Sequence, residues 1–337
     1  IVHIPHILGH VDPTSTSSSD TRRDAVSQHV QKRGASATPG PHGTTTVRWP
    51  LPDAAPKVSI IIPTRDKVEL LRACVESVLK KTSYPNFEII VVDNGSMISE
   101  TLSFFNELAN EERVRVLHYS QPYNFSAINN FAAQQADGAF LCLLNNDTEV
   151  VEADWLTELM RYAVRPDIGA VGAKLLYSDG SIQHAGVVVG MGDAAGHPHR
   201  FLPAGDPGYF RQAHAAQFVT AVTAACLVVE KVKFDSVGGL DAQDLAIAYN
   251  DVDLCLRLRA LGYRVVYTPH AELIHHERAS RGSRPPPGDQ MNLFVKRWGK
   301  VVEDDPMFHP GLARDRFELA PRADLAAWRV RHFGAGP

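Results

Sequence analysis

The chain has 337 residues, of which 44% are hydrophobic and 21% charged, with a formal net charge of −4. That length supports a sizeable core, and the near-neutral balance gives no whole-chain reason to expect nucleic-acid binding. Four cysteines (Cys74, Cys142, Cys226, Cys255) lie far apart inside apolar segments and match no CxxC or ligand spacing, so buried free thiols in a reducing compartment are expected.

Residues 1–56 are rich in Ser, Thr, Gly and Pro, as in "DPTSTSSSDTRRD" and "GASATPGPHGTTT", and read as a linker or docking arm with a short helix around 25–33. The pattern changes at Lys57. "VSIII" (58–62) is a buried strand closed by Pro63. "VELLRACVESVLKKT" follows as an amphipathic helix with Leu70, Leu71, Cys74, Val75, Val78 and Leu79 on one face. "FEIIVV" (87–92) is a second strand, a polar helix leads to "VRVLH" (114–118), and a helix near 126–135 precedes "AFLCLL" (139–144). Strand and helix alternate with short connections, which predicts an α/β fold round a largely parallel sheet.

In the second half, residues 170–190 predict two strands joined by a Ser-Asp-Gly-Ser turn. Residues 191–214, rich in Gly, Pro and His, read as a mobile loop. Periodicity leaves "FVTAVTAACLVV" (218–229) open between strand and helix. A helix is expected from Asp251 to Leu261, with Asn250 as its N-cap and Gly262 closing it, followed by the strand "YRVVYTP" and then His275-His276. No run approaches the roughly 18 to 20 apolar residues that a membrane span needs, and no signal peptide is evident. Cytoplasmic residence is expected, with at most peripheral contact at the inner face of the membrane.

In open α/β sheets, ligands sit beyond the carboxyl ends of the strands. Three polar clusters fall there: Pro63-Thr64-Arg65-Asp66, Asp93-Asn94-Gly95-Ser96 and Asn145-Asn146-Asp147. Each alone is also a good turn or cap sequence. Three at successive strand ends favour a shared site. No G-x-G-x-x-G follows the first strand and no Gly-Lys-Ser/Thr loop occurs, which disfavours a dinucleotide oxidoreductase or a phosphate-loop NTPase. A carboxylate site for a nucleoside diphosphate and a divalent ion remains.

The ordered set "VSIIIPTRD", "EIIVVDNGS", "LLNNDTEV", "GGLD" with "YNDVDLCLRLRALGYRVVYTP", and "IHHERASRG" resembles the inverting family 2 glycosyltransferases of the GT-A fold. The nearest likeness is to bacterial enzymes of O-antigen and other surface polysaccharides, rhamnosyltransferase-like members included. "IVHIPHILGH" resembles the segment between tandem transferase domains, so a module of a longer chain with adjoining domains is expected.

The resemblance implies a nucleotide-sugar half (57–150), an acceptor half (151–282) and a C-terminal helical extension (283–337). It implies that Asp93, with Asn94, holds the nucleoside and that Pro63, Thr64 and Arg65 border the base and ribose. Asn124 and Asn129 would face the nucleotide sugar. Asn145-Asn146-Asp147 stands at the family's Asp-x-Asp motif, which makes Asp147 the expected ligand of a Mn²⁺ or Mg²⁺ ion. Asn145 brings a carbonyl in place of a charge. His275 joins the metal, with His276 as the alternative. Arg278 stands where the family pattern has a serine. Asp251 keeps the position of the catalytic base, with Asn250 in place of the usual acid before it. His184, Gly186, Thr223 and Ala224 fall on the acceptor side.

The expected activity is therefore metal-dependent, inverting transfer of a sugar to a glycan or lipid-linked glycan, with no nucleic-acid partner. A binding module that has lost catalysis is the alternative, motivated by Asn145 and Asn250. A nucleotidyltransferase is disfavoured, because "PTRDKVELL" carries no Gly-rich loop.

Overall fold

The computed structural model describes residues 19–277 and 288–325. The chain begins with α1 (Ser19–Gln31) and a hairpin of β1 (Ser36–Pro39) and β2 (Thr45–Arg48), then enters the sheet at β3 (Val58–Thr64). There follow α2 (Val68–Lys81), β4 (Phe87–Asp93), α3 (Ser99–Leu108), β5 (Val114–His118), α4 (Phe125–Gln134) and β6 (Phe140–Leu144). The next elements are β7 (Thr148–Val150), α5 (Trp155–Ala163), β8 (Ile168–Leu176), β9 (Ile182–His184), β10 (Val188–Val189), β11 (Ala195–Gly196) and β12 (Gln217–Val219). The last are β13 (Cys226–Glu230), α6 (Lys231–Ser236), α7 (Asn250–Ala260), β14 (Arg264–His275) and α8 (Gly288–Glu303).

The main sheet runs β12-β14-β8-β13-β6-β3-β4-β5, with β7 added to β14 and β9 to β8. The expected α/β architecture with a largely parallel sheet is present. β3, β4, β5 and β6 are mutually parallel, β14 is parallel to β8, and β13 runs antiparallel between β6 and β8. Continuous apolar runs make these strands because both faces are buried. Ile60, Ile62, Ile89, Val91 and Cys142 pack in one core, while Ile61, Ile90, Val92, Leu141 and Leu143 pack in the other. That split is the two-residue alternation of a strand.

The chain steps outward from β3 to β4 and β5, then returns to place β6 on the other side of β3. This reversal opens a crevice between the carboxyl ends of β3 and β6. Thr64, Asp93 and His118 are register partners along the same edge.

Several sequence expectations change. The described part of the arm, from Ser19 onward, forms a helix and a hairpin rather than a helix over 25–33 alone. The hairpin's Arg48 meets Glu158 of α5 at 3.3 Å, and Arg161 donates to the Trp49 carbonyl at 2.9 Å. Residues 191–214 pack against the body, with Met191, Ala194, His199 and Ala213 buried and the His199 N–H bonded to the Phe317 carbonyl. The open segment 218–229 splits into the end of β12 and the start of β13, and its middle turns toward α7.

Asn250 is not an N-cap. α7 begins on Asn250 itself, and Tyr249 precedes it with a left-handed φ of 60° and no side-chain cap. Of the two acids in the first turn, Asp253 is fully buried. It accepts from Arg257 at 2.7 Å and from Arg297 and Trp298 at 2.9 Å each, anchoring α8. Asp251 is only half-buried.

Candidate active site

"LLNNDTEV" is a tight turn between β6 and β7. The Thr148 N–H and hydroxyl both reach the Asn145 carbonyl, at 3.3 and 2.8 Å. The turn places Asp147 and Asn145 against the end of β14. The Asp147 Oδ1 atom lies 3.0 Å from His275 Nε2, and Asn145 Nδ2 lies 3.2 Å from the same nitrogen. Asp147 is 3% exposed and His275 8%. Strand alternation decides between the adjacent histidines. His276 turns away, with Nδ1 at 2.7 Å from the Ser178 hydroxyl, while its backbone N–H bonds the Asp147 carbonyl.

One short segment joins this corner to Asp251. Asn145 N–H donates to the Ala225 carbonyl at 3.1 Å, and Ala224 N–H donates to Asp251 Oδ2 at 3.0 Å. Thr223, next in line, is half-buried and donates its N–H to His184 Nε2 at 3.3 Å. Asp147, His275, Thr223, Ala224 and Asp251 are thus held as one unit.

On the nucleotide half, Asp93 accepts the Ser96 N–H at 2.8 Å and faces the exposed His118 ring at 3.2 Å. Asn146 donates to the Thr64 hydroxyl at 2.9 Å across the crevice. Pro63 is half-buried and Arg65 exposed beside them. Asp66 is committed to the neighbouring loop, accepting from the Met97 and Ile98 N–H groups at 2.9 and 3.0 Å.

Five of the expected contact residues play other parts. Asn94 is buried and donates to the Tyr119 and Gln121 carbonyls, so it fixes the chain after β5. Asn124 caps α4 by accepting from Ala127 N–H and ties it to the Ala242 carbonyl. Asn129 is fully buried and bonds the Phe125 carbonyl. His184 is fully buried, donating to the Ala173 carbonyl at 2.9 Å; burial pushes its pKa down to about 4, so it is a neutral core histidine rather than an acceptor contact. Gly186 has a φ of +99°, and a Cβ there would sit 2.9 Å from Val219, so its smallness serves β12 rather than a sugar ring. Asn250 is also buried, at 3% exposure. Arg278 lies outside the described residues.

Sequence reasoning missed Gln183, one residue before the nominated His184. Its Oε1 lies 2.7 Å from His275 Nδ1, and its Nε2 donates to Glu277 at 3.2 Å. Glu277 in turn accepts from Arg200 at 2.8 Å. The strand period carried the signal: on β9, neighbouring residues point to opposite faces, so only one of the pair can reach β14.

The glycosyl transferase family 2 profile matches residues 59–201. The O-antigen biosynthesis protein RfbC of Myxococcus xanthus is 45% identical over 328 residues, covering 93% of this chain and 25% of that protein. An uncharacterized protein, y4gI, of Sinorhizobium fredii is 45% identical over 310 residues, covering 89% of this chain and 34% of its own length. This chain belongs to glycosyl transferase family 2. It spans about a quarter to a third of those two relatives. A structure of GalNAc-T7 with UDP, GalNAc and Mn²⁺ aligns with a TM-score of 0.58 at 16% identity, over 83% of this chain and 55% of that one. A mannosyltransferase from Pyrobaculum calidifontis with GDP-Man and Mn²⁺ aligns at 0.53 and 14%, over 96% and 86%. These likenesses show the GT-A fold.

Among the described residues no three His, Cys, Asp or Glu side chains gather at a point. Asp147 and His275 nonetheless form a fitting pair for a divalent ion, a hard carboxylate and an imidazole in one buried corner, with the Asn145 amide beside them. Two protein ligands leave room for the oxygens of a substrate. A surface cavity lined by Arg33, Trp49, Arg165, Asp167 and Arg264 opens instead at the opposite, amino ends of β8 and β14, away from this corner.

Proposed function

We propose that this domain is a metal-dependent, inverting glycosyltransferase that moves a sugar from a nucleoside-diphosphate donor to a hydroxyl of a glycan or lipid-linked glycan. The carrying observation is the convergence of Asp147 and His275 at 3.0 Å in the crevice where strand order reverses. The segment Ala224–Ala225 joins that corner to Asp251.

Asp147 and His275 are the residues to hold the cation, with Asn145 as an auxiliary. When bound, the ion supplies charge neutralisation for the leaving diphosphate. Asp93 and the β3 end border the nucleoside. Asp251 takes the proton from the attacking hydroxyl. Asp253 cannot share that role, since it is wholly buried and engaged by two arginines and an indole. Thr223 and Ala224 lie on the acceptor side of the base.

The RfbC likeness supports a surface-polysaccharide acceptor, and the two Mn²⁺ complexes support a divalent ion. They carry different nucleotides, so neither fixes the base. No described helix is long and apolar enough to cross a membrane. Four free, buried cysteines suit the cytoplasmic side. We keep the arm (1–56), transferase (57–282) and extension (283–337) as working boundaries, supported by a sheet that opens at Val58 and closes at His275.

The test is release of nucleoside diphosphate from a panel of nucleotide sugars with Mn²⁺, with and without glycan. Metal-dependent release supports the reading. Binding without turnover would favour a binding module.

A further inference from the structure

We infer that Gln183 is a positioning residue for the metal corner: it holds a His275 proton on Nδ1 and so leaves Nε2 as the nitrogen that faces Asp147 and a bound ion. The inference rests on the proposed function for its purpose, and on geometry for its content. A neutral imidazole carries one proton, and the hydrogen bond at one nitrogen decides which nitrogen is left as an acceptor. Gln183 has both an acceptor and a donor, so its own orientation must be fixed before it can select anything.

Glu277 fixes it. A carboxylate only accepts, so the Gln183 Nε2 side must face Glu277, at 3.2 Å, which leaves Oε1 on His275 Nδ1 at 2.7 Å. Nδ1 therefore donates, which leaves Nε2 as the nitrogen that faces the Asp147 carboxylate and the Asn145 amide. Arg200 holds Glu277 at 2.8 Å and also donates to the Tyr177 hydroxyl at 2.5 Å. The chain Arg200–Glu277–Gln183–His275 thus reaches from residues 197–201 into the corner. Partners of this kind around a histidine ligand typically change metal affinity by about 10- to 100-fold when lost.

The test uses the whole chain labelled with ¹⁵N-histidine and free of metal, with His275→Asn identifying the signal. In the wild type Nδ1 of His275 should carry a proton. Finding Nδ1 bare, with the proton on Nε2 alone, overturns the inference without any variant. Gln183→Met keeps length and an apolar fit, and should free Nδ1 of its fixed proton and weaken Mn²⁺ binding about 10-fold. Unchanged Nδ1 protonation and unchanged Mn²⁺ affinity in that variant would also overturn it. The exchanged pair Gln183→Glu with Glu277→Gln preserves an acceptor for Nδ1, a donor to hold it and an oxygen for Arg200, and should restore both. Failure of the exchange to restore the Nδ1 proton counts against the inference too. If the wild type turns over no donor with Mn²⁺, the proposed function fails, while metal-free Nδ1 protonation still decides the role of Gln183.

Discussion

The two halves of the crevice use polar residues in opposite ways. At the ends of β3 and β4, Thr64, Asp66, Asp93 and Asn94 are engaged largely by backbone amides, carbonyls and one another, which ties one loop to the next. At the ends of β6 and β14, a carboxylate and an imidazole are pressed together, and a base candidate hangs from the same backbone segment. In sequence both halves look alike: small polar residues after an apolar run. What separates them is whether the acceptor meets a backbone N–H or another ligand-type group.

Removing the second half's acids should have the largest effect. Asp147→Ala should abolish metal-dependent donor turnover. Asp251→Asn, which keeps an acceptor for Ala224 N–H, should lower kcat by about 100-fold or more with an unchanged circular dichroism spectrum. Near-wild-type turnover in Asp251→Asn would remove it as the base.

The buried histidines give a pH signature of the scaffold rather than of the site. Burial pushes the pKa of His184 down to about 4, so the unfolded chain takes up a proton that the fold refuses as pH falls from about 6.5 toward about 4. Stability is therefore full above that window and lost through it, by up to about 3 kcal/mol for this group. Urea denaturation at successive pH values should show the fall, and His184→Asn should flatten it by one proton's share.

A smaller change sharpens the contrast between the halves. Asp66→Ala removes two N–H contacts and should cost about 1 kcal/mol of stability, read as a lower melting temperature, while leaving Mn²⁺ affinity alone. Smallest are the substitutions beside the corner. Asn145→Ala should impair turnover by no more than about tenfold, as expected for losing one auxiliary contact worth near 1 kcal/mol. His276→Ala should change Mn²⁺ affinity hardly at all, because its ring faces Ser178 and Glu149.

Much of the first half was legible because buried parallel strands give continuous apolar runs and intervening helices give 3.6-residue periodicity. The strand ends could be read off directly. The second half was harder: β13 is inserted antiparallel, and segment 220–225 belongs to neither neighbouring strand. Periodicity there had nothing regular to follow. Asp147 and His275 could be nominated together, but only the pairing of β14 with β7 shows which histidine faces the turn. Polar residues such as Asn94, Asn124 and His184 were overread for the same physical reason that turns mimic sites. A side chain that caps a helix or bonds a carbonyl is chosen from the same residue types as one that binds a ligand.

The most direct test of the central claim is protein-bound Mn²⁺ measured by electron paramagnetic resonance, with a nucleoside diphosphate present and the nucleotide-only signal subtracted. The account predicts binding by the wild type, loss in both Asp147→Ala and His275→Ala, and retention in His276→Ala. Wild-type binding in His275→Ala, or loss on changing His276 instead, would contradict it.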